Sequence, residues 1–181
     1  FTPTQFADGL TAALEYVAAV FDHDEDVARA SVNMNFLRSA GSSLVHPHLQ
    51  TVVDDRGTNE QRELLAASRQ YHDEEGSTYW TDLVDAERGG DRWIGTVGPT
   101  DWVAAFAPKH HRHVVGVAAG GSPTEVDRDT AEGFTTGLSN VLTSYADAGL
   151  NAFNFALHLV DDPAIPPVMS VIARSVFDEY Y

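Results

Sequence analysis

Two hydrophobic spacings alternate along this chain of 181 residues, and together they confine it to a mixed helix-and-sheet domain. Phe6, Leu10, Leu14, Val17 and Phe21 recur at helical period, as do Phe134, Leu138, Val141, Leu142 and Tyr145. Around them lie short strand-like runs: Ser31 to Phe36, Val45 to Val53, Arg92 to Thr96, Trp102 to Phe106, His113 to Ala118, Ala152 to Leu159, and Val168 to Val176. The punctuation agrees with the periods. Thr2-Pro3-Thr4-Gln5, Thr58, and Ser122-Pro123-Thr124-Glu125 are helix starts, Gly149 is a helix stop, and a Gly-Pro pair joins the 92–96 and 102–106 runs as a hairpin. The expected class is α+β, with a mostly antiparallel sheet and packed helices.

Composition narrows the function. Hydrophobic residues make up 43% of the chain, enough for one sizeable core. Twenty-seven acidic residues against 11 basic ones leave a net charge of −16, with Lys109 as the single lysine. Such a surface excludes sequence-independent binding to nucleic-acid polymers, which needs clustered cations. It also repels itself unless salt screens it, and it resembles the surfaces of proteins from salt-accumulating archaea. No apolar run is long enough for a membrane span, and cysteine is absent, so no thiolate metal site can form within these residues.

The segment that carries chemistry is Gly41-Ser42-Ser43-Leu44-Val45-His46-Pro47-His48-Leu49-Gln50. In an extended chain alternate side chains face opposite ways, so His46, His48 and Gln50 share one face while Val45, Pro47 and Leu49 share the other. Pro47 donates no ladder hydrogen bond, which places this strand at an edge or interruption. Two imidazoles and an amide on an accessible face suit phosphoryl or nucleotidyl transfer. A neutral imidazole attacks phosphorus, and an amide steadies a non-bridging oxygen. The Gly41-Ser42-Ser43 turn offers backbone N–H groups and hydroxyls to further phosphate oxygens. No carboxylate is required, because a backbone carbonyl can hold the imidazole tautomer. The bland alternative is two solvent-facing histidines flanking a proline.

The stretch from Asn35 to Gln50 resembles the active-site signature of the galactose-1-phosphate uridylyltransferases, a branch of the histidine-triad superfamily, and in particular their shorter archaeal-type relatives. That signature is an upstream Asn, a small Gly-Ser turn, then His-Pro-His-x-Gln. The resemblance implies a histidine-triad-like fold and an enzyme that transfers UMP between sugar 1-phosphates through a uridylyl-histidine. It implies His48 as nucleophile, Gln50 as the steadying amide, Ser43 at a phosphate, Asn35 placing the phosphates or the motif loop, and His46 as a supporting residue. Its partners would be a UDP-sugar and a sugar 1-phosphate, in a cytoplasmic homodimer with composite sites and no membrane association.

The signature stands close to Phe1, so the resemblance further implies a C-terminal portion. Residues 1–58 would end a first histidine-triad-like repeat and residues 59–181 would form a second. In many members the first histidine of the signature binds zinc. Here His46 would do so only with ligands supplied upstream. Many bacterial members carry a second metal on a Glu after the signature and several late histidines. Glu63 and His158 would be its remnants, and the last strand has no histidine. Two alternatives stay open: adenylyl transfer or phosphorolysis of a dinucleoside polyphosphate, and a non-catalytic relative that only binds nucleotide sugars. His111 and His113, sharing a face at strand spacing, are a further candidate for metal or phosphate.

Overall fold

The computed structural model describes residues 2–44, 46–120, 122 and 126–174. Val45, the end of the 168–176 run, and Pro123, Thr124 and Glu125 of the expected third helix start lie outside the described residues.

The first helix, α1 (Pro3–His23), begins as its sequence dictates. The Thr2 hydroxyl accepts from the Gln5 N–H while the Gln5 side chain accepts from the Thr2 N–H, so two orphan donors are satisfied reciprocally. Its stripe of Leu10, Leu14, Val17 and Phe21 is buried. At about 1.5–3 kcal/mol per buried side chain, that stripe outweighs anything local propensity contributes to the helix. The same capping box opens α2 (Asn59–Glu75) with Thr58 and Gln61. Gln61 also reaches across to donate to the Ala30 carbonyl at 2.6 Å, tying that helix end to the sheet. Helix α3 (Tyr79–Glu87) is capped by Thr78. Helix α4 (Arg128–Asp147) departs from expectation: its N-cap is Asp127, whose carboxylate accepts from the Thr130 N–H. Asp127 stands one residue before the helix, where an acceptor meets the free N–H groups, whereas Ser122 is used elsewhere, on Asp161.

Among the described residues seven antiparallel strands form one sheet in the order β2-β1-β6-β7-β5-β4-β3. They are β1 (Arg29–Phe36), β2 (Gln50–Asp54), β3 (Trp93–Val97), β4 (Thr100–Ala104), β5 (Val114–Ala118), β6 (Ala152–Val160) and β7 (Val168–Arg174). Strands on both sides of residue 58 thus share one sheet, with β1 laid along the whole of β6. Helices α1 and α4 cover one face, where Val32, Met34, Phe155, Leu157, Met169 and Val171 meet their stripes. Helices α2 and α3 cover only part of the other, through Leu65, Trp80 and Val84 against Val103, Val115 and Val117. The remainder of that second face is polar, and it holds the candidate site.

Candidate active site

Register decides which side chains meet on the open face, because residues directly opposite each other in antiparallel strands project the same way. Gln50 pairs with Asn33, Asn33 with Ala156, and Ala156 with Ser170, which makes one transverse row. The next row joins Asn35, Asn154 and Ile172, and the row on the other side joins Ser31, His158 and Val168. Gln50 therefore lies on the same face as Asn33, Asn35, Asn154, His158 and Ser170.

The expected strand from 45 to 53 is shorter in the structure. β2 begins only at Gln50, and residues 46–49 lie outside any ladder, with a bend at His46. Pro47 has no N–H to donate, and the ladder stops at Asn33 opposite Gln50, although β1 itself runs on to Phe36 beside β6. The alternation survives without the ladder. Pro47 lines an apolar hollow with Phe6, Met34, Phe36 and Phe153, and Leu49 packs on the helix-covered core. His46 is exposed, His48 half-buried and Gln50 exposed. The two imidazole centroids are 6.0 Å apart.

His48 is held in one tautomer. Its Nδ1 lies 3.2 Å from the His46 carbonyl oxygen. A carbonyl only accepts, so Nδ1 carries the proton and the Nε2 lone pair is left for attack. The contribution of His46 to this geometry is its backbone carbonyl rather than its ring. Before the histidines, the turn Arg38–Ala40 runs into Gly41 at φ 85°, a left-handed conformation that glycine adopts without strain. The N–H groups of Ala40 and Ser42 both donate to the Leu37 carbonyl. Ser42 is buried, with its hydroxyl donating to the Leu44 carbonyl at 2.7 Å, so it braces the turn; Ser43 is exposed.

Asn35 is tied into a network that sequence reasoning missed. Asn154 donates from Nδ2 to the Asn35 Oδ1 and, at 2.8 Å, to the Ala40 carbonyl. The Arg174 Nε donates to the Asn154 Oδ1 at 2.5 Å. These partners stand 119 and 20 residues from Asn154, and no local spacing signals them.

The same face carries a second polar group. Glu60, at the start of α2, pairs with Lys109 at 2.5 Å. His113 is buried; its Nδ1 accepts from the Lys109 backbone N–H at 3.4 Å, so Nε2 donates to the Ser170 hydroxyl at 2.8 Å. His158 is 5% exposed, and among the described residues neither ring nitrogen has a hydrogen-bond partner. These groups, with Asn33, Asn35, Asn154 and Arg174, line a cavity of about 260 Å³. Burial holds both imidazoles below the ordinary 6.5 and favours their neutral forms, with Lys109 adding to the effect and the Glu60 carboxylate opposing it. For Glu60, burial alone would raise the carboxyl, but the Lys109 hydrogen bond and the facing His158 prevail and lower it.

Two expectations are corrected by this geometry. The acidic side chain beside His158 is Glu60; Glu63, one helical step away, is exposed. His111 and His113 do not share a strand face, because Arg112 between them adopts a positive φ of 49° and β5 starts only at Val114. Among the described residues no three His, Asp or Glu side chains gather as a metal-ligand set.

The fold, an antiparallel α+β sheet with helices packed on it, is that of one portion of the uridylyltransferase-type structures. A solved uridylyltransferase superposes with a TM-score of 0.86 at 18% identity, over 96% of this chain and 57% of that one. An ADP-glucose phosphorylase from Arabidopsis thaliana, solved with bound ADP-glucose, superposes at 0.82 and 18% identity, over 98% of this chain and 59% of that one. A galt-like protein, also from Arabidopsis thaliana, superposes at 0.80 and 18% identity, over 98% and 61%. No family model matches the chain. An uncharacterized protein of Archaeoglobus fulgidus is 31% identical over 183 residues, which is all of this chain and 54% of that protein. The chain thus spans about half the length of that curated relative. Among the described residues no helix is long and apolar enough to cross a membrane.

Proposed function

We propose that this chain carries the nucleophile of a nucleotidyltransferase that moves UMP between sugar 1-phosphates, as hexose-1-phosphate uridylyltransferases do. The observation that carries the reading is His48, with Nδ1 committed to a carbonyl, Nε2 unshared, and Gln50 two residues on along the same face. The His48 Nε2 attacks the α-phosphorus of a UDP-sugar. The bond from that phosphorus to the bridging oxygen breaks, and sugar 1-phosphate leaves with the oxygen. The uridylylated imidazole keeps its Nδ1 proton, and its positive charge is stabilised by the His46 carbonyl. The Gln50 amide and the exposed Ser43 end of the turn donate to the non-bridging oxygens. A second sugar 1-phosphate then attacks the same phosphorus, the N–P bond breaks, and the neutral imidazole is restored. One histidine serves both half-reactions, so the kinetics are ping-pong. The Arabidopsis neighbour solved with ADP-glucose makes adenylyl transfer through the same His48 the second reading.

The test is intact-mass measurement of the full-length protein after incubation with UDP-glucose, and in parallel with ADP-glucose, in neutral solution. An acid-labile nucleotidyl adduct that is lost in His48→Ala is the expected result, and the nucleotide that forms it identifies the base. Binding of both nucleotide sugars with no adduct from either overturns the catalytic reading in favour of a non-catalytic binding protein.

A further inference from the structure

We infer that Arg174 binds a phosphate oxygen of the nucleotide sugar, and that Asn154 is the positioning residue that aims both Arg174 and Asn35 at it. The inference rests on the nucleotide-sugar reading above and adds two residues to it.

The argument starts from the amide of Asn154, all three of whose hydrogen-bonding functions are used. Its Oδ1 accepts from Arg174, and its Nδ2 donates to both Asn35 and Ala40. Reversing the amide would set N–H against the Arg174 N–H and oxygen against two acceptors, so its orientation is unambiguous. That orientation propagates. With its Oδ1 occupied, Asn35 has its Nδ2 left to serve as donor. With its Nε occupied, Arg174 has the two terminal nitrogens of its guanidinium left. Asn35 and Arg174 line the same polar cavity, so this donor set borders one space.

Charge supports the same conclusion. Acidic residues outnumber basic ones 27 to 11, yet among the described residues Arg174 has no carboxylate within ion-pair distance. It is half-buried, as is Arg29, which donates instead to the Asp55 carbonyl at 2.7 Å, whereas Arg38, Arg62 and Arg112, which also pair with no carboxylate among the described residues, are exposed. A partly desolvated guanidinium without an anion is costly, and its planar fork matches a phosphate group in both charge and geometry. The position fits the chemistry as well. The ladder between β1 and β2 ends at Asn33 opposite Gln50, and two residues further along each segment stand Asn35 and His48. Asn154 also grips the Ala40 carbonyl at the end of the turn that leads into Gly41, so it ties the turn to the Arg174 strand.

The experiment compares wild type, Arg174→Gln, Arg174→Lys and Asn154→Ala in the full-length protein. It measures calorimetric affinity for UDP-glucose, the rate of adduct formation, and the thermal midpoint. Arg174→Gln is expected to weaken UDP-glucose binding roughly 10- to 100-fold, the range of one or two charge-assisted hydrogen bonds, with an unchanged midpoint. Arg174→Lys recovers part of that loss, because charge returns without the fork. Asn154→Ala slows adduct formation at saturating UDP-glucose more than it weakens binding, a split that simple destabilisation does not produce. Wild-type affinity and rate in both Arg174→Gln and Asn154→Ala overturn this inference and leave the uridylyl reading intact. A wild type that binds UDP-glucose without forming an adduct overturns the catalytic reading instead, and the affinity of Arg174→Gln still decides the role of Arg174. Absence of UDP-glucose binding in the wild type overturns both.

Discussion

His48 and His158 show how one residue type acquires opposite roles from its surroundings. His48 is half-buried at the sheet edge with one nitrogen committed to a carbonyl. His158 is enclosed beneath the start of α2, with both nitrogens unpaired among the described residues, facing Glu60 and Lys109. The charged form of His158, and of His113 beside Lys109, Glu60 and His110, is disfavoured in the folded chain. Their folded pKa values lie below the unfolded 6.5, so the unfolded chain binds protons more readily. Stability from this source is fully present above pH 6.5 and lost as pH falls below it. The thermal midpoint is therefore expected to drop between about pH 7 and about pH 5, and the drop should be shallower in His158→Gln. The comparison of the two proteins isolates the imidazole from the general relief of negative charge on acidification. Equal slopes in wild type and variant would refute the assignment.

Packing between elements turns on two glycines that make room for Trp102 of β4. That ring is 1% exposed, and its Nε1 donates to the Thr100 hydroxyl at 2.9 Å. A Cβ on Gly137 of α4 would stand 2.1 Å from the ring, and one on Gly116 of β5 would stand 2.9 Å from it. Glycine costs a helix interior about 1 kcal/mol against alanine, so on propensity alone Gly137→Ala should stabilise. The clash with a rigid buried ring wins: the substitution is expected to destabilise by about 1–3 kcal/mol, read as a lower urea midpoint at unchanged slope. A midpoint at or above wild type would show that α4 can slide away from β4. Neighbouring elements were legible in the sequence to different degrees. The capping boxes at Thr2 and Thr58 fall where the residues placed them, since they need only contacts three residues apart. The length of β2 did not: its pairing with β1 stops at Asn33 opposite Gln50, although β1 itself runs on to Phe36 beside β6.

At the scale of the whole molecule, a net charge of −16 is spread over a single sheet with its helices. The exposed ion pairs, such as Arg128 with Asp8 and Glu132, engage only a minority of the 27 acidic groups. Repulsion among the rest is long-ranged and screenable, with a Debye length falling from about 10 Å at 0.1 M salt to about 3 Å at 1 M. The thermal midpoint is accordingly expected to rise steadily from about 0.1 to 2 M KCl, beyond the range where simple screening saturates for a neutral protein. A flat response would mean the acidic surface is not a stability liability.

The sequence by itself determined the helix starts, the alternation that sends Pro47 and Leu49 inward, and the segment carrying His48 and Gln50. All of these depend on chemistry within a few residues. Only the tertiary structure decided which strands lie side by side. Laying β1 against β6, and β6 against β7, brings Asn35 to Asn154 across 119 residues and Arg174 to Asn154 across 20. It also chose Glu60 over Glu63 as the carboxylate facing His158. The physical reason is that local spacing sets which way a side chain points, whereas strand pairing and helix docking set what it points at.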